Sequence, residues 1–374
     1  MPLHDVGYRG WDEQRTPTFM RWWIITKTGV RLAFRSHWVK RSLLAAWLPI
    51  LYWGAVFLIV ENAILQDTRQ EETLQQRIEY LKEQLDKSDS PEESAEMMLS
   101  EAQDQLMQFQ LGSQQTYVSR VLGNWLAAVP QANKIADAIA SGESHVIRQE
   151  TWRWLFMTFF RYPQALMLIF LIGAVAPGLI SRDIRSRAFL LYFAKPIGRW
   201  EYIVGKLMIP AVFLVGMTTL PALVLFLLAI LASPDLSVLY STWDIPFRIL
   251  LASVSLVIPT CSIALMLSSL TQESRFASFS WFAVWVLGHG AYFAVMLSAV
   301  IRLRKPPFSP EVMSNSAVKN WSSLSLYNCL GDAQTFLFGF SSFEESWKGM
   351  LVLVVITIVS LGILYRRVSS PVRV

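Results

Sequence analysis

Long apolar runs alternate with charged segments along the whole chain. Six of these runs come close to or exceed about 20 residues, the length of helix that crosses a bilayer. The pattern therefore predicts an all-α membrane protein with six transmembrane helices. The predicted spans cover residues 42–60, 155–180 or 165–180, 207–231, 249–270, 276–301 and 349–365. The second has two possible starts because Arg161 and Pro163 interrupt its apolar run.

Residues 19–38, ahead of the first span, show a helical periodicity. On a helical wheel, one side carries basic residues and the opposite side carries Phe19, Trp22, Trp23, Val30, Ala33 and Phe34, with Ile24 as an exception. This pattern predicts an amphipathic helix in the cytoplasmic interface, within a cytoplasmic segment 1–41. Its predicted interfacial anchors are Trp22, Trp23, Arg31 and Arg35. The alternative is a basic flank that only sets orientation.

A predominantly polar insert, residues 61–154, separates the first two spans. Leu74, Ile78, Leu81 and Leu85 are spaced as a short helical stripe, which residues 88–94 interrupt. A second helical stretch follows at residues 95–111. We expect an extracytoplasmic helical hairpin followed by mixed structure. Two heptads are too few to indicate a coiled coil, so packing of one helix on its neighbour is favoured.

The charges define an orientation. The chain of 374 residues has a formal net charge of +5, and its basic residues concentrate at 1–41, at 181–206 and near the C-terminus, whereas the insert is acidic. Basic loops stay in the cytoplasm, so both termini are predicted there. Topology thus explains the basic balance without nucleic-acid binding, and membrane lipids are the expected surroundings. Arg302, Arg304 and Lys305 disagree, because they open the predicted external segment 302–348.

Several chemistries lack their motifs in this sequence. The Gly205-Lys206 pair is followed by Leu207 and has no upstream glycine at the P-loop spacing, so it does not bind nucleotide through that motif. We expect no catalytic residue, metal or cofactor. His289 is the one intramembrane polar candidate, because an ionisable side chain inside a span often has a function. A neutral histidine hydrogen-bonded to a neighbouring helix is favoured over an intramembrane enzyme.

The loop between spans two and three, residues 181–206, holds six basic residues and two acids. Two interpretations stay open from charge and spacing alone. Arg182 with Asp183, and Glu201 with Lys206, can form solvated surface ion pairs worth about 0–1 kcal/mol. Alternatively, the loop is a docking surface for a cytoplasmic partner.

This region resembles the signature of ABC-2 type permeases, the membrane subunits of one class of ATP-binding-cassette transporters. The matching positions are Asp183, Phe189-Leu190-Leu191, Pro196-Ile197, Arg199-Trp200 and Gly205-Lys206. The six-span plan, the interfacial helix and the external segment before span six resemble the family as well. The run from Arg185 to Ala188 departs from the Glu-Arg-Gly-Thr-like sequence of many members.

The resemblance implies a permease subunit of an exporter in a bacterial-type inner membrane. It also implies that two permease copies, identical or paralogous, pair with two separate cytoplasmic ATPase subunits. Coupling to the ATPase would involve Asp183, Arg187, Pro196, Arg199 and Glu201, with Lys206 as an interfacial anchor at the start of span three. The spans lack a dense polar track, which favours a lipid-like, hydrophobic or amphipathic cargo. The alternative function is a membrane scaffold or sensor acting through the acidic insert.

Overall fold

The computed structural model describes residues 20–87, 93–110, 117, 120, 133–141, 144–188, 192, 197–233, 237–307 and 309–369. Helices and their connections account for this part of the chain, in which there is no strand. The fold class predicted from the apolar runs is therefore confirmed. Two of the predicted signature elements, 189–191 and Pro196, lie outside the described residues.

The first half of the chain builds two short helices, a helical hairpin and the second span. A π-helical turn, Phe160–Gln164, interrupts that second span. The helices are α1 (Arg21–Ala33), α2 (His37–Ala45), α3 (Pro49–Lys87), α4 (Glu93–Gln110), α5 (Asn133–Ser141), α6 (Ser144–Phe159), α7 (Ala165–Val175) and α8 (Pro177–Arg185).

The second half builds the remaining four spans and three short helices between spans five and six. Their bounds are α9 (Arg199–Met217), α10 (Thr219–Ala232), α11 (Ser237–Ser241), α12 (Ile245–Leu270), α13 (Ser274–Leu303), α14 (Pro310–Met313), α15 (Ser316–Ser322), α16 (Leu326–Leu337) and α17 (Phe343–Ser369).

Six helical segments are long and apolar enough to cross a membrane, and each contains one predicted span. The segments are longer than the apolar runs, because a helix does not have to end where its side chains become polar. The most apolar windows of spans two and four are 61% and 67% buried, against 22% for spans one, five and six. Spans two and four therefore form the centre of the bundle, and the other three lie at its periphery.

Aromatic side chains fill the core where spans one, two and three meet. Trp152 and Phe156 on α6 are fully buried, and both rings contact Phe57 on α3, at 5.5 and 5.1 Å between centroids. Both also lie next to Phe226 on α10. Edge-to-face and tilted ring pairs of this kind add stability beyond their buried area.

Polar residues tie the predicted outer ends of the spans together. Arg148 forms an ion pair with Glu61 at 2.9 Å, and Ser233 donates to the same carboxylate at 3.0 Å. Asp244, just before span four, accepts from Arg153 and Arg248, each at 2.7 Å. Burial would raise the pKa of Asp244, but the two guanidinium groups offset burial and hold its pKa below the usual value.

The first part of the insert forms the predicted hairpin. α3 continues from span one to Lys87 without a break, and α4 packs against its outer part. Ile78 and Leu81 are buried against Ala102, with Leu99 and Leu106 beside them. Met98 on α4 stays outside this contact and is 50% exposed.

Candidate coupling site

Glu201 defines where span three begins. Gly198 precedes α9 with extended backbone, and its N–H donates to the Glu201 carboxylate at 2.9 Å. This is the carboxylate half of a capping box, because the glycine at the N-cap has no side chain to return the bond. The negative charge also lies at the helix N-terminus, where the helix dipole favours it. Glu201 therefore has a structural task at this position.

An internal ion pair closes the loop between spans two and three. The Lys206 ammonium lies 2.7 Å from the Asp183 carboxylate and donates to the Leu179 carbonyl at 2.8 Å. Tyr202 donates its hydroxyl proton to the same carboxylate at 2.7 Å. The Lys206 residue is 7% exposed. The pair thus ties the last turn of α8 to the first turns of α9.

This pairing corrects the surface interpretation of the loop. The sequence suggests solvated pairs between Arg182 and Asp183 and between Glu201 and Lys206. In the structure, Asp183 binds Lys206 in the interior, and Glu201 caps a backbone N–H. The difference arises because the loop folds back, which brings together side chains that are distant in sequence. Lys206 therefore faces Asp183, and its predicted role as an interfacial anchor stays a prediction.

Tyr192, from the loop between spans two and three, packs beside this ion pair. Its ring lies 5.3 Å from the ring of Tyr202, and the Lys206 ammonium lies 5.8 Å from its centroid. Burial raises the pKa of the Tyr192 hydroxyl, and the nearby Asp183 charge raises it further. The hydroxyl is thus held in its neutral form beside the carboxylate.

Helix α1 is docked on the start of span three. Thr26 donates its hydroxyl proton to the Gly205 carbonyl at 3.0 Å, and Ile25 is buried at the same contact. A β-carbon at Gly205 would lie 2.9 Å from the backbone oxygen of Trp22, so glycine permits this close approach. Gly29 similarly makes room for Ile209. The small residues set the distance between the two helices.

The buried face of α1 differs from the predicted apolar side. Trp23 and Phe34 of that side are 48% and 38% exposed and Trp22 is half-buried, so their role as anchors in the membrane interface stays a prediction. Ile25, Thr26 and Gly29 form the contact instead. Hydropathy alone does not separate a side chain that meets protein from one that meets lipid. The helix also ends at Ala33, and α2 follows after a short connection.

The remaining predicted coupling residues surround this assembly. Arg187 is exposed and has a left-handed backbone conformation, with φ of 53°, at the end of α8. Arg199 is half-buried at the first position of α9. Arg31 and Arg35 are exposed on the α1 side. The neighbouring Trp200 ring stacks on Tyr365 of span six at 4.8 Å, which connects span three to the end of the chain.

The structure brings Asp183, Glu201 and Lys206 to one end of the bundle, with Arg187 and Arg199 beside them. Sequence reasoning missed Tyr192, Tyr202 and Thr26. Tyr202 and Thr26 bind a carboxylate and a carbonyl from other segments, and Tyr192 contacts the Tyr202 ring, so local pattern gives no signal for them. Among the described residues, no group of three His, Cys, Asp or Glu side chains is arranged to hold a metal ion.

His289 lies apart from this site, on α13. Its Nδ1 is 3.2 Å from the Ser325 hydroxyl at the N-terminus of α16, and its ring lies 5.4 Å from the ring of Tyr327. Gly288 permits the approach, because a β-carbon there would lie 2.8 Å from the Leu324 carbonyl oxygen. His289 thus contacts a neighbouring segment, and its side chain is exposed. Whether it has a function stays a prediction.

These features define a polytopic helical membrane protein in which helix α1 is docked on the start of span three, at one end of the bundle. A family model described as "ABC-2 family transporter protein" matches residues 23–369. The chain therefore belongs to the ABC-2 transporter family, as its loop signature suggests. No curated protein and no solved structure matches the chain significantly.

Proposed function

We propose that this chain is the permease subunit of an ABC-2 exporter, driven by separate cytoplasmic ATPase subunits. Two permease copies, identical or paralogous, would pair with two ATPases in a bacterial-type inner membrane, with both chain termini in the cytoplasm. Membership of the family supports a permease subunit. The direction of transport and the ATPase partner belong to the proposal.

The observation that carries the proposal is the internal Asp183–Lys206 pair. It fixes the end of span two to the start of span three at 2.7 Å, and its two members lie near the two ends of the 181–206 loop sequence. The Thr26–Gly205 hydrogen bond adds α1 to the same unit. A force applied to the loop by a partner is therefore transmitted to two spans and to the interfacial helix together. Such a unit suits a transporter whose two conformations are selected by ATP binding elsewhere.

The rim of this assembly is formed by Arg187, which is exposed, and Arg199, which is half-buried, and its charge suggests how the partner docks. Arg187 and Arg199 flank the assembly, and Arg185 is paired with Glu273 at 3.1 Å across to the start of span five. An ATPase surface with acidic side chains would complement this rim. Because Asp183 and Glu201 have partners within the chain, we assign them to holding the loop in shape and assign contact with the ATPase to the arginines.

Affinity purification of the tagged chain from detergent-solubilised native membranes tests the proposal. We expect a P-loop ATPase to co-purify in stoichiometric amount with the wild-type chain. Arg187→Glu combined with Arg199→Glu should abolish co-purification, because both charges on the docking rim are reversed. The matched control is Arg302→Glu combined with Arg304→Glu, which makes the same charge change on the predicted outer side and should retain the ATPase.

Two results would count against the proposal. Equal recovery of the ATPase by both double variants would remove the rim from the interface. A reproducible complex without any ATPase, lost when the 61–154 insert is deleted, would instead support the scaffold or sensor function.

A further inference from the structure

Arg161 lies within the second of the six helical segments that are long and apolar enough to cross a membrane, and the coupling site does not use it. It lies on the π-helical turn Phe160–Gln164, which interrupts span two and contains Pro163. Single π-helical turns occur frequently at functional sites. An ionisable side chain within a membrane-spanning segment is likewise a candidate for function. Two separate features, one of backbone and one of side chain, thus single out this residue.

Helix α16 holds the Arg161 guanidinium in place. The guanidinium carbon lies 4.6 Å from the centroid of the Tyr327 ring, and Nη1 donates to the Tyr327 carbonyl at 3.3 Å. The guanidinium also occupies the space where a side chain at position 331 would lie, so Gly331 makes room for it. A guanidinium stacked on an aromatic ring loses little further freedom when it forms hydrogen bonds.

Most of the hydrogen-bonding capacity of this guanidinium remains unused. It has five N–H donors, and within the described part of the chain it forms the single bond to Tyr327. Asp332 on α16 follows Gly331, whose side-chain space the guanidinium occupies, but the two charged groups do not reach the 4.0 Å separation of an ion pair. The guanidinium is therefore fixed in position and still has donors available.

The cluster formed by Arg161, Tyr327 and His289 reaches the surface of the bundle at His289. That side chain is exposed and contacts both Ser325 and Tyr327, and a β-carbon at Gly290 would meet nothing within 4 Å. His289 lies about 20 Å along α13 from either end of the helix. Polar side chains at such depth face a water-filled pathway or another protein surface rather than lipid. This side of spans two and five thus differs from an ordinary lipid-facing surface.

Apolar side chains continue the same face of α13. Val286, Phe293 and Leu297 are 68%, 51% and 44% exposed, and they lie one helical turn apart in line with His289. A polar cluster with a fixed cation is therefore followed by an open apolar stripe. This combination is complementary to a molecule that has a charged head and a hydrocarbon chain.

We propose that Arg161, framed by Tyr327 and His289, binds the anionic headgroup, a carboxylate or phosphate, of an amphipathic molecule whose chain lies along the apolar stripe of α13. The planar fork of a guanidinium matches these oxyanions in two parallel hydrogen bonds. The inference rests on the proposed permease function and names the chemical class of its substrate. A bilayer lipid and a transported amphiphile share this chemistry, and the experiment below separates them.

Equilibrium binding of palmitate to the purified full chain in phosphatidylcholine nanodiscs tests the site. We expect saturable binding that hexadecyltrimethylammonium, a cation of equal chain length, does not compete away. Arg161→Gln should weaken palmitate binding about tenfold or more, the effect of losing a charge-assisted hydrogen-bonded pair. Arg161→Lys should fall between, because it keeps the charge without the fork. Asp332→Asn should tighten binding, because it removes a negative charge beside the headgroup.

The matched control is Arg302→Gln. It removes an exposed arginine at the predicted outer end of span five, the span that carries the apolar stripe, and should leave palmitate affinity unchanged. Equal affinity of wild type and Arg161→Gln, or competition by the cationic amphiphile, would overturn the proposal. So would an unchanged affinity in Asp332→Asn, a variant that stays informative even where Arg161→Gln does not fold.

Nanodiscs that contain phosphatidylglycerol identify the source of the ligand. Suppression of palmitate binding by this anionic lipid would assign the site to a bilayer lipid. Undiminished palmitate binding would assign it to a transported amphiphile. The assay needs no ATPase, and Arg161→Gln should still co-purify with the ATPase. Failure of this site is therefore distinguishable from failure of the permease function.

Discussion

The Asp183–Lys206 pair places two opposite charges in a largely buried position, where removal from water is costly. The carboxylate recovers this cost through Lys206 and the Tyr202 hydroxyl, and the ammonium does so through Asp183 and the Leu179 carbonyl. An ion pair of this kind depends on both members, because a single remaining charge would lie in the interior without its counter-charge. The role of the Asp183–Lys206 pair is therefore to hold the end of α8 against the start of α9.

Lys206→Met should destabilise the protein by about 3 kcal/mol, because it leaves the Asp183 carboxylate buried without its cation. Asp183→Asn combined with Lys206→Met should recover most of this loss, since no buried charge remains. Thermal unfolding of the detergent-solubilised chain measures both effects. Lys348→Met, at an exposed lysine that binds Asn320, serves as the control and should change stability little. Equal losses in the single and double variants would contradict the coupling of the two charges.

At this scale the sequence predicts which side chains carry charge but not which ones meet. Asp183, Glu201 and Lys206 were identified as members of one loop, and all three lie at one end of the bundle. Their partners depend on how the loop returns to span three, which residue spacing does not encode. Arg161 and Tyr327 show the same limit, because they are 166 positions apart and meet only through the packing of spans two and five around α16.

Among the helices, the contact of α1 with α9 depends on glycine rather than on large apolar side chains. Gly205 and Gly29 lie on opposite sides of the contact, and the Thr26 hydroxyl adds a buried hydrogen bond from α1 to the Gly205 carbonyl of α9. Small residues let two helices approach closely, which increases the van der Waals contact of their backbones. The position of helix α1 is therefore sensitive to a single added methyl group.

Gly205→Ala should loosen α1, because the new methyl group would lie 2.9 Å from the Trp22 backbone oxygen and from the Ile25 side chain. We expect faster hydrogen exchange across Arg21–Ala33, with the exchange of spans four and five unchanged. The control is Gly216→Ala on the same helix, where the nearest atom, in Leu43, is 3.9 Å away. If both variants exchange alike, the close approach does not hold α1 in place.

Hydropathy predicts the helices well in this chain because the bilayer requires long apolar runs of every span. It predicts their ends less well. α3 passes beyond residue 60 because its polar continuation is itself helix-forming and packs on α4. The π-helical turn in span two follows from Pro163 and from the fit of Arg161 against α16. That fit depends on tertiary contact, so the sequence indicates only an interruption.

For the whole molecule, orientation in the membrane is predicted from charge. The basic loop 181–206 and the connection between spans four and five should face the cytoplasm, and the 61–154 insert should face outward. Arg302, Arg304 and Lys305 disagree with this orientation, because basic residues favour the cytoplasm. Of these three, Lys305 pairs with Glu311 at 3.4 Å. The pair neutralises one of the three basic side chains locally, which weakens the charge argument against an external position.

Cysteine labelling of intact cells should confirm this orientation. Tyr80→Cys and Arg304→Cys should react with a membrane-impermeant maleimide from outside, whereas Gln272→Cys should react only after permeabilisation. The native Cys261 and Cys329 are buried, so the wild-type chain provides a low background. Labelling of Gln272→Cys in intact cells would reverse the topology. Protection of Arg304→Cys alone would show that the basic segment after span five lies inside.

Helix α3 has 39 residues and is therefore about 58 Å long. Its lower part is span one, and its far part carries α4 against Ile78 and Leu81. Because the helix is unbroken, a tilt of span one by about 10° would swing its far end through about 10 Å. The hairpin therefore amplifies a small tilt of span one into a large displacement of its tip. A protein bound to the tip would sense the conformation of the bundle without contacting the bilayer.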